Sequence, residues 1–143
     1  MLNELQVGEF LAALGERTPT PASGAATALT GALAAGLTEL AARFAGDEDA
    51  VVRAKAALTR LVELADEDAD AYSAFMADRN ETTRARIIAV PKEIAAQADD
   101  VAALAEGVRA QLRSSVAGDA EAAAELARAA ARVARRLAEL NDA

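Results

Sequence analysis

Two stretches of the chain hold residues whose types and spacing could do chemistry. The first is Thr18-Pro19-Thr20-Pro21-Ala22-Ser23-Gly24, which runs into a long segment of small residues. Each residue before a proline is pushed out of the α region, so this loop is stiff. A helix that begins here offers free N–H donors and a partial positive charge, able to hold an anion or a carbonyl. Gly and Ala in its first turn would let a flat ligand approach the backbone. The plainer alternative is a rigid connection that caps a tightly packed helix. Either Thr20 caps it with Pro21 in the first position, or Ser23 caps a helix starting at Gly24.

The second stretch is the acidic run Asp66-Glu67-Asp68-Ala69-Asp70-Ala71-Tyr72. On a helix Asp66 and Asp70 share a face, Asp68 is turned away from them, and Tyr72 lies on the apolar seam. Carboxylates beside a seam become general acids or bases when partly buried. Left in water they are only a solvated acidic face. Arg84, Arg86 and Lys92 are the cations that could meet a carboxylate ligand, unless they too are simply solvated.

Composition narrows the chemistry further. The chain has no Cys and no His, which removes disulfides, thiol nucleophiles, zinc sites and Glu-x-x-His di-iron sites. No metal ligand set is expected. A net charge of −8 opposes sequence-independent binding to nucleic acid and to anionic membranes. Met1 is followed by a polar amphipathic stretch and not by a basic region and apolar run, so no signal peptide is expected and the chain is read as cytoplasmic. The uncharged stretch from Thr18 to Thr38 contains Pro19, Pro21 and several Thr and Gly, and suits a buried helix better than a membrane span.

The elements that must position these residues are helices. Hydrophobic residues make up 53% of the 143 residues, and Ala, the best helix former, dominates them. With only four aromatic residues, Phe10, Phe44, Tyr72 and Phe75, the core must be filled by close helix contact. The spacing predicts an all-α bundle of about five helices, and residues 1–143 are read as one domain. The first helix spans about Asn3 to Leu14. The second, about Ala22 to Ala45, has Gly24, Ala28, Gly31 and Ala35 on one flat side and should be central. A third follows Gly46 and reaches about Arg79, with a seam of Val51, Leu58, Val62, Ala65, Ala69, Tyr72 and Met76. Pro91 should kink or restart the fourth. The last places Leu126, Ala130, Val133, Leu137 and Leu140 on its seam, beside a solvated ladder of Glu and Arg.

Val7-Gly8-Glu9-Phe10-Leu11, then Pro19-Thr20-Pro21-Ala22-Ser23-Gly24 before a small-residue helix, resembles the formiminotransferase-cyclodeaminase C-terminal family. Asp68-Ala69-Asp70-Ala71-Tyr72 is similar to the family's Asp-x-x-Ala-Phe/Tyr segment, and Val90-Pro91 to its later Val-Pro. The order of these stretches agrees over nearly the whole chain. The chain departs from the pattern where Ala22-Ser23 replace loop glycines, between Met76 and Pro91 where it is shorter, and at Arg135-Arg136-Leu137 where the family ending carries Asn. The resemblance implies a one-carbon folate enzyme that hydrolyses 5,10-methenyltetrahydrofolate or cyclodeaminates 5-formiminotetrahydrofolate. The tetrahydrofolate derivative would be the substrate, with no permanently bound cofactor. It implies substrate binding by Thr18, Thr20, Pro21, Ser23, Gly24 and Tyr72, proton transfer by Asp68 or Asp70, and an intertwined or face-to-face homodimer. A degenerate member that binds a small molecule without turnover, or a helical interaction protein, is the alternative.

Overall fold

The computed structural model describes residues 1–113 and 115–143, Asn3 by its backbone only. A 3₁₀ turn at Leu2–Glu4 precedes five helices: α1 (Val7–Gly15), α2 (Ser23–Ala45), α3 (Glu48–Ala77), α4 (Glu81–Arg109) and α5 (Val116–Asp142). The architecture is an all-α bundle, as the composition requires. The predicted first helix is in fact two elements, because Leu5 and Gln6 between them are extended.

α2 is central and packs against α3, α4 and α5. The predicted flat side is the reason. Gly24, Ala28, Gly31 and Ala35 are all buried, and a Cβ on Gly31 would lie 3.2 Å from the Leu61 methyls of α3. Buried threonines cost α2 little, since Thr27 and Thr38 each donate to the carbonyl four residues back. The helix is apolar and long enough to cross a membrane, and more than half of that span is enclosed by the bundle. Gly46, at a φ of 69°, takes the left-handed conformation that ends it.

Three expectations are corrected. α4 runs through Pro91 as one helix, so of the kink or restart expected there the restart does not occur. On α5 the Leu/Val seam is not the core face: Val133 and Leu140 are exposed, and Leu126 is 38% exposed. The buried face is made of alanines, Ala120, Ala123, Ala124, Ala127, Ala130, Ala131, Ala134 and Ala138. Alanine lets α5 lie close on α2 and α4, and the larger side chains are left on the outside. α2 is likewise not enclosed all round, for Leu33 and Phe44 remain about two-thirds exposed.

Candidate functional site

The start of α2 is built differently from the starts of α3 and α4. Asp47 and Asn80 cap α3 and α4 by accepting from the N–H groups of Ala50 and Thr83. α2 has no side-chain cap. Neither predicted cap forms: Ala22 occupies the position, and Ser23 is already the first helical residue. Its first N–H groups therefore remain open to a ligand. Ala22 and Ser23 in place of glycines strain nothing, as only Gly46 has a positive φ among the described residues.

A cavity of about 240 Å³ opens beside this helix start. One wall is the loop and first turn, Pro19, Thr20, Ala22, Ser23 and Gly24. α3 supplies Asp68 and Tyr72, α4 supplies Pro91, and α5 supplies Leu137 and Asn141. The packing of α2 on α3 thus brings together the two stretches that the sequence singles out.

Asp68 is the ionisable carboxylate of this cavity. It is half-buried, and among the described residues it has no hydrogen-bond donor and no ion-pair partner. Burial pushes its carboxyl up to about 6, because a carboxylate is poorly solvated there. Its place over the first turn of α2 depends on Gly24. A Cβ at that position would stand 2.0 Å from Asp68 Oδ2, so the carboxylate would have to turn away from any side chain placed there.

The remaining sequence candidates divide. Thr20, Ser23, Gly24 and Tyr72 line the cavity with Asp68. Asp70 does not: two residues further along α3 it points to solvent and is exposed. Asp66 faces inward but is engaged elsewhere, its Oδ1 accepting from the Leu2 N–H at 2.7 Å. Thr18 and Pro21 stand outside the cavity lining, and the Thr18 hydroxyl donates to the Thr20 carbonyl instead. Among the described residues no Arg or Lys lines it either. Arg84 donates to the Asp142 carbonyl, while Arg86 and Lys92 are exposed.

The sequence reading missed the α4 and α5 contributions. In the sequence Pro91 stands out only as a kink or restart and Arg135-Arg136-Leu137 lacks an Asn, whereas Asn141 is the asparagine at the cavity. Chemically, the site joins donors at a helix start, hydroxyls on Thr20, Ser23 and Tyr72, and one carboxylate that can bind or release a proton near neutral pH.

The sequence profile of the formiminotransferase-cyclodeaminase family matches residues 6–142. The fold is similar to the crystal structure of formiminotetrahydrofolate cyclodeaminase from Thermotoga maritima. That match has a TM-score of 0.89 and 26% identity, and it covers 99% of this chain and 80% of the other. No curated protein sequence matches the chain at a significant level.

Proposed function

Because the chain belongs to the formiminotransferase-cyclodeaminase family, we propose that its cavity binds a one-carbon derivative of tetrahydrofolate and that Asp68 moves the proton in the reaction. The observation that carries this reading is the unpartnered Asp68 carboxylate, raised to about 6 beside the uncapped start of α2. A group that titrates near neutral pH can both accept a proton and return it. The Thermotoga maritima protein, a formiminotetrahydrofolate cyclodeaminase, supports the same substrate class.

In cyclodeamination, N10 of 5-formiminotetrahydrofolate attacks the formimino carbon and a C–N bond forms. With the formimino group entering in its protonated N5–CH=NH₂⁺ form, Asp68 takes the N10 proton and delivers it to the departing NH₂, which becomes NH₃. The old C–N bond then breaks, ammonia leaves, and 5,10-methenyltetrahydrofolate remains. No electrons are transferred and no second carboxylate is needed, which suits a cavity that Asp70 does not reach. The cavity's contribution is to hold N10 and the formimino carbon in contact.

The test is to mix the protein separately with 5-formiminotetrahydrofolate and with 5,10-methenyltetrahydrofolate and follow the methenyl chromophore. Growth of the chromophore with release of ammonia establishes cyclodeamination, and accelerated decay establishes hydrolysis instead. Asp68→Asn should slow whichever occurs by about 100-fold or more. No acceleration of either, and no binding of either by calorimetry, would sink the reading in favour of a non-catalytic member.

We further infer that the chain pairs with a second copy. Leu33, Leu40 and Phe44 recur along one stripe of α2 and are 66%, 42% and 67% exposed, and Val133 and Leu140 stand exposed on α5. Sedimentation equilibrium should give twice the mass of the chain, and Leu33→Glu with Phe44→Glu should give the monomer. A wild-type monomer at micromolar concentration would refute the pairing.

A further inference from the structure

Pro91 lies inside α4 and has no N–H to donate. The carbonyl four residues earlier, that of Ile87, is therefore left without its helical partner. Asn141, in the last turn of α5, supplies one: its Nδ2 donates to the Ile87 carbonyl at 2.8 Å. A carbonyl oxygen only accepts, so this contact settles which end of the amide faces α4. One N–H of the NH₂ group is given to Ile87. Oδ1 is left as an acceptor, and no described residue donates to it. Asn141 and Pro91 both line the Asp68 cavity.

We propose that Asn141 is a specificity-determining residue of the cavity, its Oδ1 accepting a hydrogen bond from a ring N–H or amino group of the bound ligand. The proposal rests on the folate reading, because the pterin head of a tetrahydrofolate carries several such donors. Asp68 is also an acceptor when ionised, and no cation lines the cavity. An N–H-rich head finds two acceptors on these walls, Asn141 Oδ1 and the Asp68 carboxylate, and the Tyr72 hydroxyl beside them can donate as well as accept. The complementary donors lie at the start of α2, where a ligand carbonyl can be received. By removing the N–H that would occupy Ile87, Pro91 makes the asparagine the donor to that carbonyl, while Oδ1 can meet a ligand whether or not Ile87 needs this donor.

A double-mutant cycle on Pro91 and Asn141 separates recognition from a merely structural clamp. Each variant is measured for thermal unfolding and for binding of tetrahydrofolate by calorimetry. In the wild-type background Asn141→Leu leaves the Ile87 carbonyl without a donor, and Tm should fall by about 3–6 °C. Kd should rise about tenfold through loss of the ligand contact. Pro91→Ala returns a helical N–H to Ile87, so adding Asn141→Leu in that background should leave Tm nearly unchanged. The roughly tenfold loss of affinity should persist there. If it vanishes together with the stability cost, Asn141 is only a clamp between α4 and α5 and the proposal is wrong. Wild-type protein that binds no tetrahydrofolate overturns the folate reading, and the proposal with it.

Discussion

α3 borders two concave surfaces, and they differ in what their charges are doing. Toward its N-terminal half, Arg53, Arg60, Gln97, Asp100 and their neighbours line a groove of about 480 Å³ between α3 and α4. Toward its C-terminal half lies the Asp68 cavity, half that volume. The groove is larger and richer in charge, yet its central guanidinium is fully engaged. Arg60 donates to Glu63, to Glu67 at 2.7 Å and to Glu93 across on α4, and these bonds hold its pKa above the ordinary arginine range. Asp68 has no such partner, and burial alone raises it. A ligand entering the groove would compete with the contacts of Arg60 or with the water around exposed Asp100, while one entering the cavity meets a half-buried carboxylate without a partner. Chemistry is expected where electrostatics are left unsatisfied, and size does not decide it.

Filling the space above Gly24 removes the distinction most directly. An alanine Cβ would meet Asp68 Oδ2 at 2.0 Å and Cγ at 2.2 Å, so the carboxylate must swing away from α2. For Gly24→Ala we expect kcat/KM to fall roughly 30- to 100-fold, the scale of an ångström-sized misplacement of a reacting group. Stability should change little, because the atoms met are the free end of the Asp68 side chain, which can turn aside. Turnover within twofold of wild type would show that the position of Asp68 over the helix start is irrelevant.

How far the sequence reveals this arrangement depends on which forces are local. The stiff proline loop, the small-residue face of α2 and an acidic run on α3 are visible, because each is a pattern of neighbours in the chain. The choice between Asp68 and Asp70 is not visible. It depends on how α3 is rotated against α2, which is set by contacts such as Leu61 on Gly31. α5 misleads for a related reason. Its leucines and its alanines both recur at helical spacing, and only tertiary packing reveals that the alanines face inward. Asn141 is hidden for another reason, since its partner is a backbone carbonyl 54 residues away whose availability Pro91 creates.

The raised Asp68 also sets a stability signature that the Arg60 cluster lacks. Its carboxyl stands at about 6 in the fold against an ordinary 3.8, so the folded state prefers the protonated form. The stability due to that preference is full below about pH 4 and is lost as pH rises through about 6. Above pH 6 the charged group weakens the fold, by roughly 1–2 kcal/mol after allowance for its opening on the cavity. Asp68→Asn should therefore be more stable than wild type by that amount at pH 7 in urea unfolding, even as activity is lost. The advantage should fade below pH 4. Equal stability of the two proteins at pH 7 would mean that the carboxylate is better solvated than its surroundings indicate.

The smallest effect is expected at the groove, and it completes the contrast. Arg60 is the hub of three carboxylates on α3 and α4, all of them partly in water. Exposed ion pairs contribute little each, and salt weakens them further. Removing the hub in Arg60→Met keeps the aliphatic packing but leaves Glu63, Glu67 and Glu93 to repel one another. The loss should be about 1 kcal/mol at low salt and shrink as salt is added. Turnover should stay within about twofold of wild type, because no step of the proposed chemistry passes through the groove. A tenfold loss of turnover with the fold intact would place function in the groove as well, and the division between a reactive cavity and a structural one would have to be abandoned.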